Sequence, residues 1–298
     1  MIALCACGAT QTPAEPLVAW QPNASDFVPA SADWALRIAA SDAFASDQLW
    51  PLLDLLVPAD RRQALDTHFG FRPEDVRTLV FASVDGAPFV LIHANSDVLA
   101  NAQAIAARMN TIETESDAPL FRRQGFIGTE RREVAVLAPR LLLYAGPSPA
   151  VLRVLRAAAE RRSVESPFTW NAGVPREATM FSACTSNLQL PPGAPIATVL
   201  SDVRHTCLHG KPEAGGLHLW AGMSGRFPQT APENVRRFLR LLGGSDVGRM
   251  LGGRDAAASL RVEGAPEALQ IEVIWPISPL VSGLRAIVSD DWASILGP

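Results

Sequence analysis

A strand–turn–strand pattern restricts the possible folds of this chain more than any other feature of its sequence. Residues 76–84 and 89–93 are apolar runs rich in strand-forming residues, and Asp85-Gly86 between them is a typical hairpin turn. Because a hairpin pairs its two strands antiparallel, a sheet that contains it is at least partly antiparallel. Hydrophobic residues make up 48% of the 298 residues, which is enough for a sizeable core.

Helical segments alternate with strand pairs along the chain. Apolar spacing and capping signals predict helices at 48–56, 61–68, 97–109, 149–161, 196–204 and 233–242, and a last one that begins at Pro279. Strands are predicted at 33–39, 76–84, 89–93, 126–129, 133–137, 141–144, 178–183, 205–208, 217–223, 259–263 and 269–274. Hairpins that alternate with helices predict an α+β fold, in which antiparallel sheets carry helices on one face.

The order of elements recurs in the second half of the chain. Ser148-Pro149-Ala150-Val151 and Ser278-Pro279-Leu280-Val281 each begin the last helix of a half, and Leu-Arg-Ala follows both. This recurrence predicts a duplicated α+β unit, with one half at 33–162 and the other at 177–298. The alternative interpretation is that Ser-Pro is simply a common way to begin a helix.

The first 32 residues differ from the rest and are predicted to be a truncated signal followed by a flexible tether. Leu4-Cys5-Ala6-Cys7 has an aliphatic residue three positions before a cysteine and a small residue directly before it. This pattern resembles the lipobox of bacterial lipoproteins, and the resemblance implies that Cys7 is lipidated and becomes the mature N-terminus. The polar, proline-containing residues that follow are typical of a solvated tether.

The lipobox implies a place in the cell envelope, facing the periplasm or the cell surface, with the membrane as a partner through the lipid anchor. A secretory signal needs a charged region and about 7–15 apolar residues, whereas only six uncharged residues precede Cys7. We therefore expect translation to start upstream of Met1. The alternative is an ordinary cytoplasmic N-terminus that contains two cysteines. The order of elements also resembles that of uncharacterised bacterial envelope proteins with two similar α+β halves.

The two cysteines outside the N-terminal segment, Cys184 and Cys207, both lie at or near predicted strands. Neighbouring strands bring Cα atoms to about 4.5–5.5 Å, a separation that a disulfide tolerates. An exported protein also meets an oxidising environment. We therefore predict a Cys184–Cys207 disulfide, with two reduced and unrelated buried cysteines as the alternative.

A possible metal site shares one of these cysteines. His205, Cys207 and His209 alternate along a predicted strand, so their side chains share one face, and His218 lies across the hairpin. Imidazole and thiolate ligands suit zinc or copper. A metal-binding protein or enzyme centred on these four residues is the alternative function; in the other interpretation the histidines only bond to backbone or water.

The sequence lacks the common catalytic and nucleotide-binding motifs, and we therefore expect no cofactor. G-x-S-x-G, G-x-x-x-x-G-K-[ST] and H-E-x-x-H are all missing, and the glycines at 243–248 end a predicted helix instead of beginning one. A net charge of −4 gives no electrostatic reason to expect nucleic acid as a partner. We expect a lipid-anchored, non-catalytic envelope protein that binds a ligand or acts as a scaffold, with another envelope protein as a candidate partner.

Overall fold

The computed structural model describes residues 22–56, 58–113, 120–163, 166–169, 179–186 and 200–288. The strands in these ranges are β1 (Trp34–Ile38), β2 (Val76–Val84), β3 (Ala87–Ala94), β4 (Asn110–Glu113), β5 (Phe121–Ile127), β6 (Glu130–Ala138), β7 (Leu141–Ala145), β8 (Phe181–Thr185), β9 (His205–Glu213), β10 (Gly216–Ser224), β11 (Arg261–Ala265) and β12 (Ala268–Trp275). The helices are α1 (Ala40–Phe44), α2 (Trp50–Leu56), α3 (Ala59–Phe69), α4 (Leu99–Ala107), α5 (Pro149–Ala159), α6 (Ala231–Gly244), α7 (Asp246–Met250), α8 (Gly253–Ser259) and α9 (Ile277–Val288). Three short 3-10 helices lie at Ala24–Phe27, Pro73–Asp75 and Pro167–Thr169.

All the described strands belong to one antiparallel sheet in the order β11-β12-β10-β9-β8-β1-β2-β3-β7-β6-β5-β4. The predicted α+β class and antiparallel pairing are confirmed. Strands β1 and β8 pair at the centre and join the two halves of the chain. Outward from this pair, the order β1-β2-β3-β7-β6 corresponds to β8-β9-β10-β12-β11. Duplication of one unit stays a prediction, with which this correspondence is consistent.

The predicted turn at Asp85-Gly86 connects β2 and β3. Both residues have positive φ, 53° and 74°, as a two-residue hairpin turn of this kind requires. The Asp33 carboxylate accepts hydrogen bonds from the Gly86 amide at 3.0 Å and from the Ser83 hydroxyl at 3.3 Å. The turn therefore combines favourable local sequence with a contact to the strand beside it.

Most helices lie on one face of the sheet, which we call the helical face. The prediction that all of them share one face is wrong, because α5 covers apolar side chains on the other face. On the helical face α4 packs on apolar side chains such as Val134, and α6 packs on the corresponding face of the second half. Helix α5 and the 3-10 helix at Ala24–Phe27 pack on the opposite face, against side chains such as Ala135. Neighbouring residues of a strand point to opposite sides, so separate apolar layers lie on the two faces of the sheet in the first half.

The structure differs from the sequence prediction mainly in the second half. Residues 200–204, the described part of the helix predicted at 196–204, form a turn and irregular chain, so that part of the prediction is wrong. Strands β9 and β10 include most of 210–216, which was predicted as the connecting loop, because backbone pairing continues to Glu213 and Gly216. Helices α1, α7 and α8 and strand β4 were not predicted, and the strand predicted at 126–129 instead spans Phe121–Ile127, because Gly128 and Thr129 form the turn to β6.

The predicted anchor lies outside the described residues, since Cys7 and the tether precede residue 22. Among the described residues, no helix combines the length and the apolar character that crossing a bilayer requires.

Candidate functional site

Cys184 and Cys207 form the predicted disulfide. They are direct cross-strand partners on β8 and β9, and their sulfur atoms are 2.08 Å apart. Both side chains are buried in the apolar layer on the face opposite the helical face. The bond joins two neighbouring strands at the centre of the sheet, next to the β1–β8 junction.

The four predicted metal ligands share one face of the sheet but do not converge. His218 pairs with Lys211 in the β9–β10 register, whereas Cys207 pairs with Gly222 further along the same strands. Among the described residues, the one group of three metal-ligand side chains within 4.8 Å of one another is Cys184, Cys207 and His209. Neither His205 nor His218 belongs to it, and the Cys207 sulfur is already bonded to another sulfur.

His218 is held instead by two carboxylates. Its Nδ1 lies 2.8 Å from Glu213 and its Nε2 lies 2.8 Å from Glu272, while the ring stacks on Trp220 with centroids 3.7 Å apart. The two carboxylates and the indole ring together fix the orientation of the imidazole. Hydrogen bonds from Lys211 and His218 lower the pKa of Glu213 below its ordinary value.

His209 is buried beside the disulfide and is neutral at pH 7. Its Nδ1 lies 2.8 Å from the Ser182 hydroxyl, which lies 3.2 Å from the Thr179 hydroxyl. Burial, with a smaller effect of the nearby Arg37 cation, lowers the pKa of His209 from 6.5 to about 4. Within the described ranges, Nε2 of this ring has no hydrogen-bond partner.

The lowered pKa of His209 predicts a loss of stability on acidification. Between pH 6.5 and about 4 the unfolded chain binds a proton here that the folded chain does not. The free energy of unfolding therefore falls as the pH drops through this window, by about 2 kcal/mol, and this contribution is complete above pH 6.5. Urea unfolding at pH 7 and about pH 4.5 measures it. His209→Gln should weaken the pH dependence of stability, whereas His68→Gln, at an exposed position, should keep it. An unchanged pH dependence in His209→Gln would contradict the lowered pKa of His209.

An apolar cavity of about 320 Å³ lies on the helical face of the second half, between the sheet and helices α6, α7 and α8. Sequence analysis did not predict it. Strands β9, β10 and β12 form its floor. The described residues that line it are all apolar or glycine: Leu208, Leu219, Ala221, Leu239, Leu242, Gly243, Val247, Gly248, Leu251, Gly253, Ala256, Ala257, Leu260, Ile271, Val273 and Trp275.

Glycines allow the helices around the cavity to meet closely. A Cβ atom at Gly243 would lie 2.6 Å from the Gly253 carbonyl oxygen, and one at Gly253 would lie 2.8 Å from the Gly248 carbonyl oxygen. Larger residues would therefore push α6, α7 and α8 apart. The glycine-rich run at 243–253, interrupted by leucine and valine, was the signal in the sequence that could have indicated this helix cluster.

The cavity wall suits an apolar guest. The indole Nε1 of Trp275 is already satisfied, since it donates to the Leu251 carbonyl oxygen at 2.6 Å. Leu242 lines the cavity and is also 52% exposed, which places an opening near the C-terminal end of α6. The volume falls at the small end of the range of about 300–1,000 Å³ for small-molecule sites.

Comparison with known proteins shows a likeness in fold. No family model and no curated protein matches the sequence. A solved structure described as crystal form III of TP0453 is similar with a TM-score of 0.52 at 11% identity, over 89% of this chain and 99% of that one. Crystal form I of TP0453 gives a TM-score of 0.50 at 11% identity, over 90% and 99% of the two chains. At this identity the likeness shows that the two chains share a fold, and it indicates no function.

Proposed function

We propose that the protein is a non-catalytic, lipid-anchored envelope protein that binds an apolar ligand in the cavity beneath α6, α7 and α8. The observation that carries the proposal is a cavity of about 320 Å³ whose described wall is apolar throughout. Protein interiors are normally close-packed, so side chains around such a space lose dispersion contacts. A hydrocarbon-like ligand would restore those contacts and bury its own apolar surface.

The same wall argues against catalysis in the cavity. Acid–base and nucleophilic mechanisms need an ionisable or nucleophilic side chain within reach of the substrate. None of the described residues that line the cavity has one. The ligand would be held by shape and apolar contact, and a charged head group would stay at the opening beside Leu242.

Two features support the envelope location. The sequence around Cys7 resembles a lipobox, and a buried disulfide suits a protein kept in an oxidising compartment. Stable anchoring needs two or more acyl chains, which a lipidated Cys7 would supply. Metabolic labelling with radioactive palmitate, with the protein expressed from its native gene and flanking DNA, tests the anchor. Label in the parent and none in Cys7→Ser is the expected result, and an exported but unlabelled parent would exclude it.

Binding of N-phenyl-1-naphthylamine, a neutral apolar fluorophore, tests the cavity. We expect saturable binding of one molecule per chain. Ala221→Leu adds three carbon atoms on the cavity floor and should weaken binding at least tenfold without destabilising the protein, because the added side chain fills apolar space. The matched control is Ala159→Leu, at an exposed position of α5 outside the cavity.

The result that would contradict the proposal is equal fluorophore binding by Ala221→Leu and Ala159→Leu. Binding that does not saturate would count against it in the same way, because it would indicate general surface adsorption. Unfolding curves for both variants confirm that each is folded. Recognition of a protein partner in the envelope stays a prediction.

A further inference from the structure

We propose that Cys184, Cys207 and His209 form a metal site for zinc, or another thiophilic divalent cation, when their disulfide is reduced. The site lies on the face of the sheet opposite the cavity, so the inference does not depend on the proposed ligand. In the oxidised protein the same two cysteines join β8 and β9 covalently. The disulfide and the metal site use the same two cysteines, so a chain can contain only one of the two at a time.

The geometry brings three suitable donors together. One ring nitrogen of His209 and the two sulfur atoms lie within 4.8 Å of one another. Sulfur–zinc and nitrogen–zinc bonds of about 2.3 and 2.0 Å require donors separated by roughly 3.5 Å, so side-chain rotations after reduction are sufficient. All three residues are at least 97% buried, which shields a bound ion from bulk solvent.

His209 already has the environment of a metal-binding histidine. Its Nδ1 contacts the Ser182 hydroxyl, which in turn contacts Thr179. If Nδ1 carries the proton and donates to Ser182, the lone pair on Nε2 is free for a metal, and such outer contacts fix ligating imidazoles in other proteins. Nε2 has no hydrogen-bond partner in the described part of the chain although His209 is only 2% exposed. A buried polar atom left in this state is unusual and needs an explanation.

A dithiol can act as the reductant that converts the disulfide form into the metal-binding form. The dithiol supplies two electrons and two protons, its own thiols become a disulfide, and the Cys184–Cys207 bond breaks to give two thiols. The Cys207 sulfur lies 3.6 Å from the Pro167 carbonyl oxygen, which would accept a hydrogen bond from the new thiol. Zinc then replaces both thiol protons, which pass to solvent, and the two thiolates neutralise its charge. Three protein ligands leave the fourth tetrahedral position to water.

The test uses the full chain with Cys5→Ser and Cys7→Ser, so that only two thiols remain. One sample is oxidised, and the other is reduced with dithiothreitol and freed of it without oxygen. Zinc is then titrated against a chromogenic chelator. We expect one zinc per chain in the reduced sample and none in the oxidised one. Cobalt in place of zinc should show thiolate-to-metal charge-transfer absorption in the reduced sample alone.

Two histidine variants distinguish this site from the wider set of candidate ligands on β9, which includes His205. His209→Ala should weaken zinc binding at least tenfold, whereas His205→Ala, on the same face of β9, should leave it unchanged. If the reduced chain loses its native circular dichroism, one equivalent of zinc should restore it. The proposal is overturned if the reduced protein binds no zinc, if it binds zinc without regaining its fold, or if His209→Ala binds as the parent does.

Discussion

Replacing Glu133 by alanine is expected to lower the free energy of unfolding by about 3–5 kcal/mol, the largest effect of a single substitution that we predict. The Glu133 carboxylate lies 2.6 Å from Nε of Arg122 and accepts a further hydrogen bond from Gln124 at 3.2 Å. The Glu133 and Arg122 side chains are 1% and 5% exposed. Removal of the carboxylate would deprive a buried guanidinium of the Glu133 charge, which is far more costly than losing a surface ion pair.

Urea unfolding of Glu133→Ala measures this effect, and Glu130→Ala is the matched control. Glu130 lies on the same strand and pairs with Arg132, but its side chain is 63% exposed, so its loss should cost less than about 1 kcal/mol. The double variant Arg122→Met/Glu133→Leu removes both charges together and should recover most of the stability lost in Glu133→Ala. Equal effects of Glu133→Ala and Glu130→Ala would contradict the buried-pair interpretation.

Loss of the Cys184–Cys207 disulfide is expected to cost about 3 kcal/mol. The two cysteines are 23 positions apart, and the chain-entropy model gives about this value for a loop of that length. Both sulfur atoms also pack in the apolar layer that α5 covers, so the variant loses packing as well. We expect Cys184→Ala/Cys207→Ala to unfold at a correspondingly lower urea concentration.

Reduction provides the control for this prediction. A dithiol reductant, with zinc removed by a chelator, should shift the unfolding midpoint of the parent towards that of the double alanine variant. The same reductant should leave the variant itself unchanged. A double variant as stable as the oxidised parent would show that the disulfide does not stabilise the folded state.

Elements defined by their immediate neighbours could be predicted from the sequence. The Asp85-Gly86 turn and the Ser148-Pro149 start of α5 are both present where expected. Each depends on backbone preferences of two or three adjacent residues, which local sequence reveals directly. The pairing of β1 with β8, which makes one sheet of two halves, joins residues far apart in the chain and leaves no local pattern.

Helices α7 and α8 were missed because their packing uses glycine and alanine. Apolar periodicity indicates a helix only when large side chains mark its buried face, and Gly248 and Gly253 have none. The close approach of these backbones becomes visible only once the tertiary structure is known. The cavity that these helices help to form therefore could not be predicted from the sequence.

The candidate metal ligands show what strand periodicity can and cannot predict. Alternation correctly placed His205, Cys207 and His209 on one face. A shared face does not bring them together, however, because the four-residue step along an extended strand separates His205 from His209 by about 13 Å. Cys184, the residue that completes the compact group, belongs to a different strand and was predicted only as a disulfide partner.

If the apolar cavity of the second half can hold an apolar guest, it should also admit xenon, which enters apolar protein cavities of this kind. A crystal structure determined under xenon pressure would show this. We predict xenon between the β9–β10–β12 surface and helices α6, α7 and α8, in contact with Leu219 and Ile271. A well-ordered crystal in which these helices close onto the sheet and no xenon lies there would contradict the account.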